Sequence, residues 1–68
     1  MERLKHELEY LRLANKQERI YHIMRLEKMK EKDSLYYKLN TDLMTRLVLT
    51  DSKLFEYYIN DLLLNEFN

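Results

Sequence analysis

Neither glycine nor proline occurs anywhere in the 68 residues. No turn can therefore draw on a residue that enters the left-handed region freely, or on a ring that fixes φ. Tight hairpins rely on such residues, so sheets are disfavoured and helices remain. Hydrophobic residues make up 46% and charged residues 35% of the chain, the balance of a helical bundle rather than a disordered tail. The fold class predicted is all-α.

The opening segment reads as one long helix from about Glu2 to Lys32. At 100° per residue, one apolar stripe gathers Met1, Leu4, Leu8, Leu11, Leu26 and Met29. A second stripe, on nearly the opposite side, gathers Tyr10, Leu13, Ile20, Tyr21 and Met24. A surface helix normally carries one stripe, so the second asks for a partner. Lys28, Lys30 and Lys32 mark the end of this helix, where cations meet the negative pole of the dipole. Asp33 and Ser34 then offer cap side chains to the next.

A second helix is expected over about 35–49, with Leu35, Leu39, Leu43 and Leu47 as an i, i+4 ridge flanked by Tyr36 and Met44. Thr50, Asp51 and Ser52 favour caps and turns over helix interiors. Thr50 as N-cap would set Leu49 and Leu54 at hydrophobic-staple positions. A third helix follows over about 53–67, with Leu54, Phe55, Tyr58, Ile59 and Leu62 inward, and Tyr57, Leu63, Leu64 and Phe67 widening that face. In the rival layout helices two and three are continuous, because Leu47, Leu54 and Tyr58 stay in phase, giving a helical hairpin.

A chain of this length forms one small domain and buries only about 60% of its unfolded surface. Cysteine is absent, so disulfides cannot add stability, and oligomerisation is the expected supplement. A helix over 2–32 would run about 46 Å. A compact monomer of this size has a radius of gyration near 11 Å, so the rod would outrun the globule. Residues 1–32 hold nine Lys/Arg against six Glu, and residues 33–68 hold three against six Asp/Glu. Oppositely charged halves suit packing within or between chains, and argue against a uniformly basic nucleic-acid binder. Apolar runs are too short for a membrane span, and the mixed charges of Glu2, Arg3, Lys5 and Glu7 do not form a signal peptide. The expected compartment is the cytoplasm.

Candidate chemistry is sparse. Read as a heptad, Asn15 falls at a core position between Leu8 and His22, where one buried Asn can set register; the plainer reading leaves Asn15, Glu18 and His22 solvated in mid-helix. Glu18 and His22 at i, i+4 lack the further ligands a metal needs and read as an exposed ion pair; His6 reads as solvated. No nucleophile, base and orienting group can be assembled, so no catalytic residue, cofactor or metal is assigned. Tyr36-Tyr37 and Tyr57-Tyr58 each place one ring inward and one at the rim. The expected protein is a self-associating helical bundle of coiled-coil type, a homodimer foremost, that acts as a regulator or adaptor on a protein partner through Tyr10, Leu13, Ile20, Tyr21 and Met24. The second reading is a nucleic-acid-binding regulator with Arg12, Lys16 and Arg19 as phosphate contacts. An amphipathic protein of membrane surfaces ranks third.

Overall fold

The rod expected over 2–32 breaks at Ala14–Asn15. The computed structural model describes residues 2–67, with side chains for 3–66, so Met1 and the Phe67 side chain lie outside the described residues. The elements are α1 (Glu2–Leu13), α2 (Lys16–Lys30), a 3₁₀ helix (Ser34–Lys38), α3 (Thr41–Thr50) and α4 (Ser52–Phe67). Among the described residues there is no strand. The all-α class holds, while the long first helix does not.

Size explains the break. The molecule measures 28 × 25 × 16 Å with a radius of gyration of 10.9 Å. A rod of about 46 Å would outrun the longest dimension by about 18 Å. Breaking it folds α1 back, so that Leu4, Leu8 and Leu11 reach the same core as Ile23 and Leu26 of α2. Heptad continuity is lost with the rod, and Asn15 is no register device. It is an exposed N-cap in extended backbone, its side chain accepting from the Glu18 N–H at 2.9 Å.

Every later turn uses the same solution. Asp33 accepts from the Leu35 N–H at 2.9 Å and opens the 3₁₀ helix, as its cap chemistry predicted. Asn40 accepts from the Leu43 N–H at 3.1 Å and starts α3, which splits the helix expected over 35–49. The leucine ridge is split with it: Leu39 is buried, Leu35, Leu43 and Leu47 are half-buried, and Met44 and Val48 point inward on α3. Asp51, not Thr50, caps α4, accepting from the Leu54 N–H at 3.1 Å. The Thr50 hydroxyl instead donates back to the Arg46 carbonyl at 2.7 Å. Two separate helices therefore replace the continuous arm of the hairpin layout. No described residue has positive φ, as expected where side-chain caps do the work of glycine.

The core joins all elements. Phe55 and Ile59 of α4 meet Leu8 and Leu11 of α1, Ile23 and Leu26 of α2, and Met44 and Val48 of α3 in one cluster. Tyr36 is buried and Tyr37 exposed; Tyr58 is half-buried and Tyr57 exposed, so each pair divides as the sequence suggested. Leu54 lies outside, contrary to expectation, because the Asp51 cap turns the first turn of α4 so that Phe55 is the first residue facing inward.

Candidate protein-interaction surface

The break turns α1 against α4 and leaves a groove of about 540 Å³ between α1 and α2. Tyr10 and Tyr21 form its aromatic walls, with His6, Glu7, Gln17, Glu18, His22 and Arg25 around them. Glu7, Tyr10, Glu18 and His22 already have partners. Glu18 accepts from the Tyr10 hydroxyl at 2.7 Å and from the Asn15 side-chain amide at 2.6 Å. That hydrogen bond, above all, raises the Tyr10 phenol above its ordinary value of 10.0. His22 is buried, its Nε2 against the Glu7 carboxylate and its ring 4.9 Å from the Tyr10 ring. The expected exposed pair of Glu18 with His22 is thus corrected: the break carries Glu7 to His22, and Glu18 turns to the cap. Arg25 is exposed and makes no ion pair among the described residues.

Five residues were singled out as an interface, and the fold treats them differently. Tyr10 and Tyr21 share the groove, and Met24 sits beside Tyr21 on the outward face of α2, 60% exposed. Leu13 closes α1 at 81% exposure, away from any core contact. Ile20 is half-buried and packs against the edge of the core.

The basic trio is separated too. Arg19 is buried, and its guanidinium closes the open end of α1. Nε donates to the Leu11 carbonyl at 2.8 Å and Nη2 to the Arg12 carbonyl at 2.7 Å. The same group pairs with Glu56 at 3.3 Å and stacks over the Phe55 ring at 4.7 Å. It cannot double as a phosphate contact. Arg12 donates to Asn60 at 3.3 Å, and Lys16 is exposed.

A second apolar face lies on α4. Leu54, Tyr57 and Leu64 are exposed at i, i+3 and i+10, with Asp61 between the last two. Sequence reading missed this face by assigning those residues to the inside or to a widened core. Its signal was that Phe55, Ile59 and Leu63 already form one complete stripe.

Among the described residues, no group of three or more His, Cys, Asp or Glu side chains is placed to hold a metal ion. No helix there is long and apolar enough to cross a membrane. Comparison with protein-family models, with curated proteins and with solved structures finds no match for this chain.

Proposed function

We propose that this chain is a small self-associating helical interaction protein, acting as a regulator or adaptor by contact with other protein surfaces. The observation that carries this reading is the exposure of Tyr10, Leu13, Tyr21 and Met24 beside a core that is already closed. These side chains are not material the fold still needs. Tyrosine and methionine suit such a role, pairing large contact area with a polar tip or an adaptable thioether. The groove between α1 and α2 adds a concave seat for an inserted side chain.

Sedimentation across micromolar to millimolar concentration tests the proposal. The expected result is a mass that rises above the monomer. Tyr21→Glu with Met24→Glu should return it to the monomer at unchanged helicity. A monomer throughout would overturn self-association. The nucleic-acid reading has lost Arg19 to the α1 carbonyls, and weak binding to duplex DNA even at low salt is expected.

A further inference from the structure

A smaller depression of about 200 Å³ adjoins the α1–α2 groove, lined by Arg25, Lys28, Met29 and Lys32. Arg25 lines both, so the two meet at its side chain and form one track along α2. The track changes character along its length. Around Tyr10 and Tyr21 it is aromatic, and from Arg25 to Lys32 it is cationic. Arg25, Lys28 and Lys32 are all exposed, and none makes an ion pair among the described residues.

The carboxylates nearby leave these cations free. Glu7 lies against His22, and Glu18 accepts from Tyr10 and Asn15, so both acids of the groove are engaged. Glu27 is held by Thr41 and Lys30, and Asp33 caps the 3₁₀ helix. Glu31 makes no ion pair among the described residues, but it lines neither depression. It stands about 120° around the helix from Arg25. The negative pole of α2 accounts for Lys28 and Lys32 near its end. It does not account for Arg25, which precedes the last turn and lines the groove.

We infer that this track receives an acidic peptide segment of a partner protein. An apolar or aromatic side chain of the segment seats between Tyr10 and Tyr21, and the carboxylates that follow it cover Arg25, Lys28 and Lys32. The inference rests on the protein-contact role proposed above, but not on self-association. Lengths agree: from Tyr21 to Lys32 the track runs about 16 Å, which an extended peptide spans in about five residues. Arg25 offers a planar fork to one carboxylate, and the two lysines offer mobile point charges to the next. Tyr21, 67% exposed, supplies a large rigid face for the apolar anchor. Charge favours a peptide over a nucleic acid. A nucleic-acid strand brings a phosphate at every step and would meet Glu7 and Glu18 in the groove. A peptide lays its apolar residue over that stretch and carries negative charge only where the cations stand.

Fluorescence anisotropy of a labelled synthetic peptide, one leucine and one phenylalanine followed by four aspartates, tests this on the full chain. Saturable binding that weakens as salt is raised is expected. Arg25→Glu with Lys28→Glu, both at exposed positions, should abolish it. Tyr21→Ala should weaken it about tenfold, the scale of losing one interface anchor. Lys53→Glu, which removes an exposed cation of α4, should leave it unchanged. Circular dichroism of each variant should match wild type. A peptide with serines in place of leucine and phenylalanine should bind about tenfold more weakly, and equal binding would overturn the seat between the tyrosines. No binding by wild type, an equal loss from Lys53→Glu, or tighter binding of a single-stranded oligothymidylate overturns the proposal. Sedimentation reads self-association separately. A chain that stays monomeric and binds the peptide overturns self-association alone, and one that assembles but ignores the peptide overturns the acidic partner alone.

Discussion

Two helix junctions sit side by side at one end of this molecule, around a cleft of about 450 Å³, and they solve one problem differently. At the α3–α4 junction a single residue is enough. Asp51 donates its N–H to Leu47 at 2.7 Å, accepts from Leu54 on its side chain at 3.1 Å and from Phe55 on its carbonyl at 3.0 Å. Every partner lies within four residues. At the α1–α2 junction Asn15 caps only the helix that follows. The carbonyls that end α1 wait for Arg19, which reaches back seven and eight residues and is held by Phe55 and Glu56 from the far end of the chain. One junction is local chemistry, and the other forms only once the tertiary fold exists.

Arg19 gives the largest test of that difference. Arg19→Ala strands two backbone carbonyls near the core and removes the cover over Phe55, so a loss of about 3 kcal/mol is expected in urea unfolding. Arg19→Lys should recover less than half of it, since an ammonium lacks the planar fork that serves both carbonyls. A loss under about 1 kcal/mol from Arg19→Ala would show that the first junction is as local as the second. Asp51→Ala and Asn15→Ala should each cost about 1 kcal/mol by the same measurement, the ordinary worth of an N-cap. Combining Asn15→Ala with Arg19→Ala should give less than the sum, because both hold one junction.

Tyr36 sharpens the contrast between satisfied junctions and an unsatisfied core. Its buried hydroxyl has no hydrogen-bond partner among the described residues, and Tyr36→Phe should raise stability by about 0.5–1 kcal/mol in thermal unfolding. Burial first, then the Glu7 charge, raises this phenol above 10.0. The folded state therefore holds the proton more tightly than the unfolded chain. That contribution is complete below pH 10 and is lost as pH rises through the raised folded value. Urea titrations between pH 9 and pH 12 should show a shallower alkaline decline for the Phe variant. The smallest effect belongs to the exposed Lys38–Glu66 pair at 3.3 Å, where Glu66→Gln should change stability by less than about 0.5 kcal/mol.

What the sequence disclosed follows the same division. Helical class, the Asp33 cap and a break near Thr50–Ser52 are written in neighbouring residues, and all were readable. The break at Ala14–Asn15 was hidden because Leu4, Leu8 and Leu11 stay in phase with Leu26 and Met29 across it. A local clue did exist: Asn15 with Glu18 three residues on has the spacing of a capping box. Asn40 opens a run of cap-favouring residues with Thr41 and Asp42, but the i, i+4 leucines at 35, 39, 43 and 47 carry a regular pattern straight across it. Arg19 carried none, since its partners lie up to 37 residues away. Of the five candidate interface residues, Tyr10 and Tyr21 share the α1–α2 groove, Leu13 and Met24 are exposed, and Ile20 is half-buried at the edge of the core.

Turns capped by asparagine and aspartate, with no proline among them, have a kinetic consequence. With no prolyl bond in the chain, no unfolded molecule must wait tens of seconds for an isomer to convert. Chain reversal at the corners other than the α1–α2 junction needs only a side chain finding an amide a few atoms away. Stopped-flow refolding should then lack a slow phase in the range of seconds to minutes. Any lag should trace to the docking of Arg19, the one corner that must await its distant neighbours.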